Sequence, residues 1–156
     1  ECYEKFVEMF TIHDVDRQYI TLIWGKMNTK AGIIDAPIGR SLSRATKMSV
    51  RDDGKFARTH YKENRHFEKQ NVTLMDVSLE TGRTHQIRVH LASIKHGIIG
   101  DDVYGPDVKI SVNLHGQALH AYKLILTHPI TKEEMIFLAE EPQEFNKLLD
   151  YVKKVK

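Results

Sequence analysis

A chain of 156 residues, 41% hydrophobic and 28% charged, holds enough apolar material for one domain and is not the composition of a disordered protein. Its net charge of +2 is too small to name a nucleic-acid partner unless the charge is clustered. One cysteine, Cys2, excludes an internal disulfide and a multi-thiol metal set, no apolar run reaches the ~18 residues of a membrane span, and no signal-peptide pattern opens the chain.

Residue 1 is glutamate, and Tyr3, Phe6, Val7 and Phe10 already recur at helical spacing. A helix with an apolar face is therefore expected from the start, within a chain that begins inside a larger protein. Arg17 to Gly25 is rich in β-branched and aromatic residues and predicts a strand. Tyr19, Thr21 and Ile23 share one face and Ile20, Leu22 and Trp24 the other, so both faces are apolar and the strand should be central. Tyr19 reads either as a core tyrosine, the commoner outcome, or as a stacking platform. Between Ala31 and Gly39, Gly32, Pro37 and Gly39 permit only a short extended piece, and Asp35 reads as a turn or capping carboxylate.

From Gly39 to Lys62 the charge does cluster. Arg40, Arg44, Lys47, Arg51, Lys55, Arg58 and Lys62, against Asp52 and Asp53, give this stretch +5, so the rest of the chain is negative. Interleaved Ser41, Ser43, Thr46 and Ser49 complete a stripe suited to a phosphate backbone. A solvated hairpin fits equally well, with Met48 to Arg51 paired to Phe56 to Tyr61 around Asp52-Asp53-Gly54. Phe67 to Leu79 then continues as strand.

At Thr81-Gly82 the apolar run stops, and a helix is expected from Thr84, whose hydroxyl suits the N-cap. Ile87, Leu91 and Ile94 would form its buried face. Arg88 lies about 100° around the helix from Ile87, at the edge of that face, where it could fix an anion. Spacing alone favours the plainer reading of Arg83 and Arg88 as surface cations. His85 and His90, five apart, diverge on a helix and cannot chelate one ion. His96 to Pro106 is a loop whose glycines let the backbone pass close to something. Ala118 to Leu126 and Met135 to Leu138 should pair as strands, and Phe145, Leu148, Leu149 and Val152 mark a terminal helix ending in Lys153, Lys154 and Lys156. Nucleophile-elbow, Walker and dinucleotide fingerprints are all missing.

The run Thr81-Gly82-Arg83-Thr84-His85-Gln86-Ile87-Arg88-Val89-His90, with the following Gly97 to Gly105, resembles the signature of RluA-type pseudouridine synthases, which isomerise uridine in structured RNA. Arg17-Gln18-Tyr19 to Gly25, Asp35 to Arg40, Leu119-His120-Ala121 with Leu124 leading to His128-Pro129, and Glu140 to Pro142 agree with the family in order, so the likeness spans Arg17 to Pro142. It implies an α+β fold, a mixed, mainly antiparallel sheet with a few flanking helices, with residues 1–156 the C-terminal portion of one catalytic domain. It implies Arg88 and Tyr19 as catalytic residues: Tyr19 against the uracil ring, Arg88 paired with the aspartate that carries the chemistry. Arg83, His85, Gln86, Leu119, Arg40 and Arg44 would bind the substrate. Structured RNA, ribosomal or transfer, is the implied partner, with no metal, no organic cofactor and no membrane; a monomer in the cytoplasm or an organelle is expected. The family's aspartate sits in an Arg-Leu-Asp segment before the tyrosine strand, and no such segment occurs in these residues. The 156 residues alone are therefore expected to be inactive, and the alternative is a non-catalytic RNA-binding module. Ile98 also stands where many relatives have proline.

Overall fold

The β-branched run that opens at Asp16 becomes a central strand of a six-stranded sheet. In the computed structural model, which describes residues 1–11 and 14–154, the elements are α1 (Cys2–Thr11), β1 (Asp16–Trp24), β2 (Ala31–Asp35), β3 (Ile38–Arg40), β4 (Met48–Val50), β5 (Arg58–Phe67), β6 (Val72–Leu79), α2 (Gln86–Ser93), β7 (Leu119–Thr127), β8 (Glu134–Leu138) and α3 (Gln143–Lys154). The large sheet runs β2-β5-β6-β1-β7-β8, and each of these ladders is antiparallel. This is the expected α+β architecture. On β1, Thr21, Leu22 and Ile23 are all fully buried, so both faces of the strand are covered in its middle. Ile87 and Leu91 of α2, Ile98 and Ile99 of the following loop, and Phe145, Leu148 and Val152 of α3 complete one core with Leu22, Ile23, Val72, Met75 and Val77. Phe145, Leu148 and Val152 share one face of α3, as their spacing predicts; Lys156 lies outside the described residues.

Several local expectations are corrected. β4 pairs with β3 rather than with β5, because residues 51–55 double back across Ile38, whose backbone exchanges hydrogen bonds with Lys55. The Phe67 to Leu79 run is not one strand: the chain turns between β5 and β6 with Asn71 in the left-handed region at φ 51°, a conformation asparagine tolerates. α2 begins at Gln86, and its N-cap position is His85, at φ 55° and with no side-chain cap, instead of Thr84. Ile94 falls past the helix end and is exposed. α1 forms, but it packs through Met9 and Phe6 onto Val15, Leu124, Leu126 and Met135, which turns Tyr3, 79% exposed, together with Val7 and Phe10 outward. What the 96–106 loop passes close to is its own chain: a side chain at Gly100 would meet the Gly116 carbonyl at 2.4 Å.

A buried hydrogen-bond chain ties α2 to the sheet. The Thr81 hydroxyl donates to Gln86 Oε1 and accepts from the Arg58 amide, and Gln86 Nε2 donates to the Arg58 carbonyl and to Thr59 Oγ1. The Ala36 carbonyl can only accept, so His90 Nε2 donates to it at 2.8 Å, and Nδ1 of the neutral ring then accepts the Thr59 hydroxyl proton at 2.7 Å. Burial lowers the pKa of His90, outweighing the Ala36 hydrogen bond and the Asp35 charge, which favour its protonated form. The folded imidazole therefore refuses a proton that an unfolded one accepts near pH ~6.5. Below that value the unfolded state binds more protons, so His90 stabilises the fold above pH ~6.5 and its contribution is lost as pH falls from there toward its lower folded pKa. Glutamine at this position can accept from Thr59 and donate to Ala36 without titrating. Thermal melts between pH 7.5 and 5.5 should accordingly show a shallower acid decline for His90→Gln than for the wild type; equal slopes would assign the decline elsewhere.

Candidate active site

Strand β1 brings Arg17 and Tyr19 to the same end of the sheet as the Gly82 turn and the first residues of α2. There, Arg17, Tyr19, Leu79, Gly82, Arg83, His85, Gln86, Ile87, Arg88, Gln117 and Leu119 line a cleft of about 340 Å³. Tyr19 sits opposite Ala121 on β7 and Thr21 opposite Leu119, so Tyr19 and Leu119 stand on one face of adjacent strands. The Arg17 guanidinium lies directly against Gly82, where a Cβ would come within 2.6 Å of it. A side chain there would have to push the end of Arg17 aside.

Arg88 is not a surface cation. Its Nε donates to Asp101 Oδ2 at 2.8 Å and its Nη2 to Asp101 Oδ1 at 2.9 Å, and the two side chains are only 11% and 1% exposed. Asp101 Oδ1 also accepts from the Val103 and Tyr104 amides, both at 3.1 Å. Burial pushes the Asp101 pKa upward, but the hydrogen bonds from Arg88 and these amides, with the Arg88 charge, outweigh it and hold the carboxyl below its ordinary value. Hydrogen bonding to Asp101 in turn raises the Arg88 pKa against its desolvation, so the pair is ionised at neutral pH. With four donors and 1% exposure, Asp101 is an anchor shut off from solvent. The Tyr104 ring lies over the guanidinium, 5.0 Å from ring centre to Cζ. Its hydroxyl accepts from the Met48 amide and meets His85 Nδ1 at 2.8 Å. Burial, then the Arg88 charge, lower the His85 pKa, and Asp101 only partly offsets them.

Six of the eight residues singled out in the sequence, Tyr19, Arg83, His85, Gln86, Arg88 and Leu119, thus border one cavity. Gln86 does so with its amide fully occupied: Oε1 accepts from Thr81 and from the Arg83 amide, and Nε2 makes the two bonds to β5. Arg40 borders a neighbouring depression of about 500 Å³ that meets the cleft at Gly82 and Arg83. Arg44 is exposed in the β3–β4 turn and borders neither. The basic stripe is thinned by ion pairs of Arg51 with Asp53 and of Arg58 with Asp35 and Glu80. Asp35 therefore serves an ion pair, not a turn cap. Asp101 and Tyr104 were missed in the sequence because contacts across 13 and 19 residues leave no periodic trace; the only signal was their place in a glycine-rich loop. Among the described residues, no three His, Cys, Asp or Glu side chains converge as a metal set, and no helix is long and apolar enough to cross a membrane.

Comparison with known proteins agrees with this geometry. A family model described as RNA pseudouridylate synthase matches residues 1–93. The ribosomal large subunit pseudouridine synthase D of Nitrosomonas europaea is 46% identical over 145 residues, covering 89% of this chain and 41% of that protein. The uncharacterized RNA pseudouridine synthase YhcT of Bacillus subtilis is 44% identical over 132 residues, covering 85% of this chain and 43% of that protein. The chain thus spans less than half the length of these two relatives. Among solved structures, human RNA pseudouridylate synthase domain containing 1 superposes with a TM-score of 0.77 at 21% identity, covering 97% of this chain and 71% of that one, which shows a shared fold. A family match over more than half of the chain, on the same turn and helix that build the cleft, means that this protein belongs to the RNA pseudouridylate synthase family.

Proposed function

We propose that the full-length protein isomerises uridine to pseudouridine in structured RNA, and that these residues supply the tyrosine and arginine of its active site. The observation that carries the reading is the shared cleft of Tyr19 and a largely buried, rigidly held Arg88. Uridine isomerisation breaks the bond from C1′ to N1, turns the base, joins C1′ to C5 and moves the C5 hydrogen to solvent while N1 gains one. Such chemistry needs a shaped, dry pocket and a carboxylate, with neither metal nor redox cofactor. Tyr19 stacks on the extruded uracil, recovering ~1–3 kcal/mol against the few that extrusion costs. Arg88 spends Nε and Nη2 on Asp101. Its Nη1 is the edge that meets the catalytic aspartate of the family's Arg-Leu-Asp segment, keeping that carboxylate ionised by lowering its pKa by ~1–3 units. Arg83, His85 and Leu119 contact the nucleotide, whereas Gln86 acts by bracing the turn that presents them. Arg40 and Arg44, on the hairpin beside the cleft, hold phosphates. Relatives named for the large ribosomal subunit favour ribosomal RNA over transfer RNA, and with it a cytoplasmic protein or an organellar one working as a monomer.

Arg88→Ala would strand a buried carboxylate and confound folding with catalysis, so Arg88→Lys is the cleaner variant. In the full-length protein it should reduce tritium release from 5-tritiated uridine in RNA by about 100-fold or more, as loss of a preorganised charged contact does, with RNA affinity nearly unchanged. Normal rates would remove Arg88 from the chemistry. Residues 1–156 by themselves should release no tritium, since among the described residues no aspartate or glutamate borders the cleft with Tyr19; turnover by them would refute the reliance on an Arg-Leu-Asp aspartate. If the β3–β4 cations grip phosphate, Arg40→Ala and Arg44→Ala should each weaken RNA binding and lower the slope of log affinity against log salt by about 1. Salt slopes that do not move would place the RNA elsewhere on the molecule.

A further inference from the structure

We propose that Tyr104 is a positioning residue that acts through His85: its hydroxyl fixes which ring nitrogen of His85 carries the proton, and so which atom the imidazole offers to the bound nucleotide. This rests on the function argued above and goes beyond it, since Tyr104 itself does not border the cleft. The Tyr104 hydroxyl has one proton and two partners. The Met48 amide can only donate, so it occupies the oxygen at 3.0 Å. The remaining partner, His85 Nδ1 at 2.8 Å, then receives the hydroxyl proton, the assignment that pairs every donor within the protein, since the reverse one would turn the O–H out to solvent. Nδ1 is therefore the unprotonated nitrogen and Nε2 bears the hydrogen. Nε2 has no hydrogen-bond partner among the described residues, so a donor remains on a residue bordering the cleft.

Three further observations show that Tyr104 is placed for this. Asp101 accepts from the Tyr104 amide while it grips Arg88, so one carboxylate sets both the turn and the cation beside it. The Tyr104 ring makes an edge contact with the His85 ring, centroids 5.5 Å apart, and covers the Arg88 guanidinium. His85 is held at φ 55°, in the left-handed region, at the N-cap position of α2, where its side chain makes no cap hydrogen bond and is left to pair with Tyr104. Through the Met48 amide the same hydroxyl is also braced by the hairpin that bears Arg40 and Arg44.

The test uses the full-length protein with its RNA substrate and four forms: wild type, Tyr104→Phe, His85→Gln and the double variant. Phenylalanine keeps the ring over Arg88 and removes only the hydroxyl. Nitrogen-15 spectra of the wild-type imidazole should show His85 protonated at Nε2, and Tyr104→Phe should mix the two tautomers. Loss of one oriented hydrogen bond should lower kcat by about tenfold, with KM for RNA changed by less than about twofold. In the His85→Gln background, Tyr104→Phe should have no further effect on kcat, because nothing is left for the hydroxyl to orient. A wild-type His85 protonated at Nδ1, an effect confined to KM, or additive losses in the double variant would each overturn the proposal and leave Tyr104 as a brace for the hairpin. Wild-type protein that fails to isomerise uridine would strike the function instead, and the tautomer measurement would still decide the role of Tyr104.

Discussion

One buried ion pair organises the candidate site. Arg88 and Asp101 meet in a two-point contact with almost no solvent, and removing either partner from such a pair destabilises a protein by ~3–5 kcal/mol. That is a large part of the ~5–15 kcal/mol by which a domain is stable at all. The pair is therefore more than a way of holding a cation. Asp101 Oδ1 also accepts from the Val103 and Tyr104 amides, so the loop folds around the same carboxylate and lays an aromatic ring over the guanidinium. Charge, loop and ring are fixed together or not at all.

A second constraint decides where that assembly sits. The chain of donors from Thr81 through Gln86 and Thr59 to His90 runs in one direction and leaves no group unused, linking the end of β6, the start of β5 and two turns of α2. Buried polar chains of this kind resist rearrangement because each member, if moved, strands its neighbour in a poorly solvating interior. The helix start is thereby held against the sheet end where Tyr19 stands, although α2 has no side-chain N-cap. What ties the helix start down is a glutamine that accepts from the preceding turn, from the Thr81 hydroxyl and the Arg83 amide.

Charge in the neighbouring hairpin is arranged differently. Arg51 and Arg58 are consumed in local ion pairs with Asp53, Asp35 and Glu80, whereas Arg40 and Arg44 sit on the exposed β3–β4 ribbon, and Lys47 stacks over Tyr104. Exposed cations on a ribbon suit a diffuse polyanion, whose grip comes from counterion release rather than from fixed geometry. The cleft and the ribbon thus differ in kind, one rigid and oriented and the other loose and exposed, which suits the proposed contacts to a single nucleotide and to the backbone that carries it. Tyr104 touches both, through His85 on one side and Met48 on the other.

Much of this was legible along the chain. The corner with Tyr19, Arg83, His85, Arg88 and Leu119 was legible only through its resemblance to a family signature, whereas alternation and β-branched content marked β1 as central and the spacing of Phe145, Leu148 and Val152 marked the packed face of α3. Local pattern determines such features because it is local physics: periodicity, turn chemistry and the burial of one face. Pairing partners were another matter. That β4 joins β3 rather than β5, that Asn71 breaks a run that reads as one strand, and that α2 starts two residues late were decided by backbone hydrogen bonds which no periodicity encodes. The same holds for the ion pair and for the tyrosine over it. Arginine 88 alone reads as a surface cation; only the fold, by bringing a carboxylate from 13 residues away into a dry pocket, makes it a fixed charge, because electrostatic strength depends on burial and distance and neither is written in sequence order.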